Sequence, residues 1–158
     1  GHVGVARDNP DYFPLEVMNT ILGGSFTSRL NQNLRETHGY TYGANSQFAM
    51  RRMAGPFQAG ASVQSAKTDS SLIEFLQELR RIRDEAVPQA ELDKAKAYIA
   101  LGLPGNFETT SGAAAQFSDD VRIPISVRCF ECCYFLHNEV HVFHIALIES
   151  EMHFHLFL

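Results

Sequence analysis

Two glycine stops govern what the first half of this chain can become: the pair Gly23-Gly24 and the single Gly39. Glycine closes helices because it accepts positive-φ backbone conformations that residues with a side chain avoid. Ahead of the pair, Phe13, Val17, Met18, Ile21 and Leu22 recur at helical spacing with Pro14 in the first turn, which predicts a helix over 14–22. Between the stops a second helix is expected over about 27–37, capped by Ser25 or Thr27. Beyond Gly39 lie two strand-like runs, YGANSQFAM and PFQAGASVQ, joined by a polar link ending in Gly55-Pro56. Their spacing predicts an antiparallel hairpin with a loop of several residues.

The flanking segments complete the pattern. HVGVA at the start alternates as a short strand does. A long helix fits 69–86, where Leu72, Phe75 or Leu76, Leu79 and Ile82 recur at helical spacing. Pro88 opens another helix with Leu92, Ala95 and Ile99 on one face, and an Ala-rich helix fits 110–118. Strand, two helices, hairpin and two or three further helices make an α+β order, with helices covering one face of an antiparallel β-sheet. At 158 residues the chain is long enough for one domain with a substantial core and too short for two ordinary ones. A charged fraction of 20% beside 45% hydrophobic residues places it with globular rather than disordered chains.

Charge excludes one class of partner. The formal balance is −5, and Arg80, Arg81 and Arg83 are interspersed with Glu78, Asp84 and Glu85, as on a solvated helix face, so no nucleic-acid footprint is present. No stretch approaches the roughly 20 apolar residues needed to span a bilayer. The opening GHVGVAR has neither an initiator Met nor a basic leader and reads as the inside of a strand, so an earlier segment is expected. The compartment is therefore not legible, and periplasm, cytoplasm and mitochondrial matrix are all compatible.

Composition breaks near Asp120. All three cysteines (Cys129, Cys132, Cys133) and five of the seven histidines fall in 121–158, a stretch without Gly, Lys, Asp or Thr. The two parts are accordingly read as a domain over 1–120 and an atypical tail over 121–158.

Within the domain the segment LGGSFTSRLNQNLRETHGYTYGANS, residues 22–46, is the most unusual. A short helix delivers Arg35, and Gly39 then turns Tyr40 and Tyr42 into the start of a strand. An Arg followed seven residues later by a Tyr across a tight turn can set a guanidinium fork and a phenol on one side. Arg brings five rigid donors, and Tyr brings a donor that keeps its proton at neutral pH. Such a pair suits peptide carbonyls and the oxyanion that develops in amide hydrolysis. The plainer alternative has Arg35 capping its helix or pairing with Glu36, and Tyr42 as an ordinary strand aromatic.

The same segment resembles the C-terminal domain signature of the pitrilysin/insulinase family of zinc metallopeptidases, which includes the mitochondrial processing peptidases. In that family an LGG, SRL, LRE and G-x-Y series runs into the central hairpin. DNPDYFPLEVMNTILGG resembles the preceding helix and VPQAELDKAKAYI a later one, so the likeness spans about 1–120. The resemblance implies a two-layer, processing-peptidase-like domain, incomplete at both ends. It also implies that Arg35 and Tyr42 hold the substrate peptide, Tyr40 fitting the position less well. The zinc, by the same resemblance, is held by a partner N-terminal domain or subunit. Some relatives with this fold serve instead as structural core proteins of respiratory complexes.

The family cuts with an inverted zinc motif, H-x-x-E-H, and this chain has none. The nearest match, His137-Asn138-Glu139-Val140-His141, puts the Glu where neither zinc motif requires it. Cys129, Cys132, His137 and His141 count out as a compact Cys2His2 set with His144 to spare, but the tail lacks the Gly of a tight knuckle. No metal is therefore expected on this chain. The family continues after this point with a helix and a Val/Ile-rich strand that the tail does not resemble. A divergent ending would account for it, but a frame-shifted or mis-spliced reading fits the abrupt change better.

Overall fold

The computed structural model describes residues 1–120. They fall into two compact units, 1–88 and 89–120.

In the first unit the hairpin predicted from the alternating runs forms the sheet. Strand β2 (Thr41–Phe48) pairs antiparallel with β3 (Pro56–Val63), whose other side carries the short β1 (His2–Val3). The register sets Ala44 opposite Ala61, Ser46 opposite Ala59 and Phe48 opposite Phe57, all buried or half-buried on one face. Asn45, Gln47, Gln58 and Gly60 alternate onto the other face and are exposed. This is the two-sided pattern of an antiparallel sheet with one covered face. The cover comes from α1 (Tyr12–Asn19), the π-helical turn Thr20–Gly24, α2 (Arg29–Asn31) and the π-helical segment Gln32–Thr37, all of which pack against β2. Val17, Met18, Ile21, Leu22, Leu30, Leu34 and Phe57 are buried here, so the first helix contributes the stripe its spacing predicts.

Three details differ from expectation. Gly23 and Gly24 close the π-helical turn that follows α1, without positive φ; among the described glycines only Gly39 uses it, at +63°. The pair is there for closeness, since a Cβ on Gly23 would lie 2.5 Å from the Ser46 nitrogen. The second helix is preceded by Ser28 rather than Ser25 or Thr27, and it widens to π geometry after one turn. Hydrophobic spacing does not separate i→i+4 from i→i+5 bonding, so both π segments were invisible in it.

Helix α3 (Thr68–Asp84) buries Leu79 and Ile82 as expected, but Leu72 is partly exposed and Glu78 is 4% exposed. Its carboxylate accepts from Asn33 Nδ2 at 2.9 Å and Arg81 Nη1 at 3.2 Å. That ion raises the Arg81 pKa further above the ordinary arginine range, chiefly through Coulomb attraction. The second unit contains α4 (Gln89–Gly102), with Leu92 and Ala95 buried, and α5 (Thr110–Asp120). Among the described residues no helix is long and apolar enough to cross a membrane.

Candidate functional site

Arg35 sits in the π-helical segment that leads to Gly39. The segment closes with backbone bonds from His38 N to Asn33 O (3.1 Å) and Gly39 N to Arg35 O (3.1 Å). Tyr40 N then returns to Leu34 O at 2.8 Å, and the chain enters β2. The glycine stop thus places Arg35 and the first strand residues on adjoining elements, as the sequence predicted.

The guanidinium of Arg35 lies over the Phe26 ring, its carbon 4.1 Å from the centroid. Phe26 is itself 65% exposed, an aromatic held at the surface of the Gly-Gly-Ser loop rather than in the core. Arg35 Nε approaches Glu36 Oε1 at 3.6 Å, the pairing anticipated as the plainer reading. Between neighbouring, partly exposed side chains such a contact is worth little. The Nη1 atom of Arg35 is buried and has no hydrogen-bond partner among the described residues. Buried donors of that kind are rare.

Tyr42, in β2, is 100% exposed. Tyr40 is half-buried, stacked on His38 at 4.9 Å and 18°, with Lys67 Nζ 6.0 Å from its ring. No hydrogen bond or ring contact joins Arg35 to Tyr42 among the described residues. The structure therefore brings Arg35 together with Phe26, leaves Tyr42 fully exposed, and ties Tyr40 into the surface beside His38.

Sequence reasoning did not single out the polar residues that hold this region. Asn31 is buried, and its carboxamide takes the Ala44 N–H on Oδ1 (2.9 Å) and donates to Ala44 O (2.9 Å). Thr41, also buried, places its hydroxyl 2.7 Å from Ser62 O and 2.8 Å from Gly43 O. Ser46 Oγ donates to Asn19 Oδ1 at 2.8 Å. Asn33 Nδ2 reaches Glu74 as well as Glu78, and His38 Nε2 is 3.8 Å from Glu74. Phe26 carried a usable signal, a large apolar residue between two stretches of Gly, Ser and Thr.

Among the described residues no three or more His, Cys, Asp or Glu side chains gather where they could hold a metal ion. They thus offer no ligand set for the family's zinc. The tail candidates Cys129, Cys132, His137 and His141 lie outside the described residues.

The family model described as the peptidase M16 inactive domain matches residues 2–99, and the chain belongs to that family. Among solved structures it is similar to a peptidase M16 inactive domain from Pseudomonas fluorescens, with 25% identity and a TM-score of 0.81 over 93% of this chain and 36% of that one. A protease from Helicobacter pylori is similar in fold, with 22% identity and a TM-score of 0.80 over 92% of this chain and 36% of the other. So is a chain of complex III2 from Candida albicans, solved with Inz-5 bound, at 15% identity and a TM-score of 0.72 over 94% and 38%. The chain thus spans little more than a third of the length of these relatives. No curated protein matches it.

Proposed function

We propose that this chain is the substrate-holding half of a zinc metallopeptidase, gripping the peptide while a zinc-bearing partner domain of the same family supplies the metal and the attacking water. The observation that carries the reading is the buried Nη1 of Arg35, a charged donor with no acceptor among the described residues. Phe26 holds one face of that guanidinium, so the fork is oriented before a ligand arrives. A peptide carbonyl is the acceptor such a fork suits, and its demand grows as the carbonyl oxygen becomes an oxyanion. Tyr42, fully exposed, adds a second hydroxyl donor from the neighbouring strand. Tyr40 is committed to His38 and fits the role less well.

The test is reconstitution with a zinc-bearing partner. The chain alone should turn over no peptide. In the pair, Arg35→Ala and Tyr42→Phe should each slow hydrolysis by about 10²–10³-fold, the usual cost of one oxyanion donor, with folding and zinc content unchanged. Arg35→Lys should rescue poorly because an ammonium does not reproduce the fork. Tyr40→Phe should be mild. A reconstituted rate within a factor of two of wild type for both Arg35→Ala and Tyr42→Phe would replace this reading with a second one. That alternative, a structural subunit of a larger assembly, draws its support from the fold likeness to the complex III2 chain.

A further inference from the structure

In a regular strand, consecutive side chains point to opposite faces. Tyr42 and Gly43 break that rule, since both are exposed while Thr41 and Ala44 on either side are buried. The register shows how. Thr41 pairs with Val63 and Ala44 with Ala61, so three steps along β2 are matched by two along β3. One extra residue is therefore inserted between Thr41 and Ala44, a β-bulge, and a bulge re-aims the side chains it carries.

Both ends of this bulge are tied by buried side chains. At the start, the Thr41 hydroxyl accepts the Gly43 N–H at 3.1 Å, and its single proton has Gly43 O and Ser62 O within reach at 2.8 and 2.7 Å. At the finish, Asn31 binds both the N–H and the C=O of Ala44 at 2.9 Å, the pattern another strand would offer. Asn31 Nδ2 also lies 3.2 Å from Ser28 Oγ and 3.2 Å from Ser25 O, which anchors the carboxamide to the loop bearing Phe26. An extra strand residue leaves the ladder locally unpaired, and the Thr41 hydroxyl and the Asn31 carboxamide bond the main-chain groups on either side of it.

We propose that Thr41 and Asn31 are positioning residues that fix the projection of Tyr42 toward the bound peptide. Among the described residues no hydrogen bond or ring contact holds Tyr42, which is 100% exposed, so its direction is set by the backbone beneath it. Asn31 extends the same control across to the loop of Phe26, and so links the Tyr42 strand to the element that orients Arg35. This rests on the reading of Tyr42 as a peptide donor.

The experiment is a double-mutant cycle of Thr41→Val and Tyr42→Phe in the reconstituted pair, with nuclear magnetic resonance of Tyr42 in the full chain. Thr41→Val keeps the shape and removes the hydroxyl. It should lower kcat about tenfold to a hundredfold when the Tyr42 hydroxyl is present, the scale on which small misplacements act, and less than about twofold when it is absent. Thr41→Ser should restore the rate. The Tyr42 amide and ring resonances should move in Thr41→Val and return in Thr41→Ser. Should Thr41→Val not fold, Asn31→Asp takes its place, keeping an acceptor for the Ala44 N–H and losing the donor to Ala44 O. An equal loss in both Tyr42 backgrounds, or Tyr42 resonances that ignore the substitution, overturns the proposal. If Tyr42→Phe alone costs nothing, the peptide-donor reading fails instead, and the resonances still decide whether Thr41 and Asn31 set the projection.

Discussion

A methyl group on Gly23 would stand 2.5 Å from the backbone nitrogen of Ser46 and 2.6 Å from its hydroxyl oxygen. The first of these is backbone, which does not swing aside, so the helical layer would have to lift from β2. Gly23→Ala should therefore lower stability by about 1–3 kcal/mol, the usual cost of overpacking a fitted site. Gly60→Ala, where nothing lies within 4 Å of the added carbon, should leave stability unchanged or slightly raised. Urea unfolding with a common m-value checks the pair; equal effects at the two sites would show that closeness at Gly23 is not what matters. Sequence reasoning found the glycines of this segment but gave the pair Gly39's reason. Only the neighbour 23 residues further on reveals that Gly23 answers to packing.

Between elements, the segment carrying Arg35 is tied to α3 through Asn33, which donates to Glu74 at 3.1 Å and to Glu78 at 2.9 Å. Glu78→Gln keeps an acceptor and should be nearly silent. Glu78→Leu leaves Asn33 with Glu74 alone and strips Arg81 of its buried partner, so a loss of about 1–3 kcal/mol is expected in thermal unfolding. A leucine variant as stable as wild type would show that the carboxylate contributes nothing to the junction. The elements themselves were legible: alternation gave the hairpin, and helical spacing gave α1, α3 and α4. The polar joints were not. A Glu in a helix rich in Arg and Glu reads as solvent-facing, and Asn31 and Thr41 bond to groups 13 and 21 residues away, where no local pattern extends. The candidate site was legible in its residue types, because an Arg and a Tyr across a glycine stop are visible in the chain, while Phe26 as the platform under Arg35 is a tertiary fact.

For the whole molecule, composition changes abruptly after Asp120, although the similar solved structures cover 92–94% of the chain. We propose that 121–158 is foreign to the domain. Deleting it should leave the unfolding midpoint unchanged or raised. A loss beyond about 2–3 kcal/mol, the scale of removing well-packed core groups, would show instead that these residues complete the fold.

Asn31's two bonds to Ala44 have a consequence for what the protein avoids. Among the described residues β2 is the outermost strand of its sheet, and an outermost strand with unanswered main-chain groups is a template on which foreign chains can add themselves. The carboxamide occupies both main-chain groups of Ala44, and Gly23 packs close to the nitrogen of Ser46 two residues on. At Ala44, then, a foreign strand finds the main-chain groups it would need already taken, which blunts this edge against chain-to-chain addition.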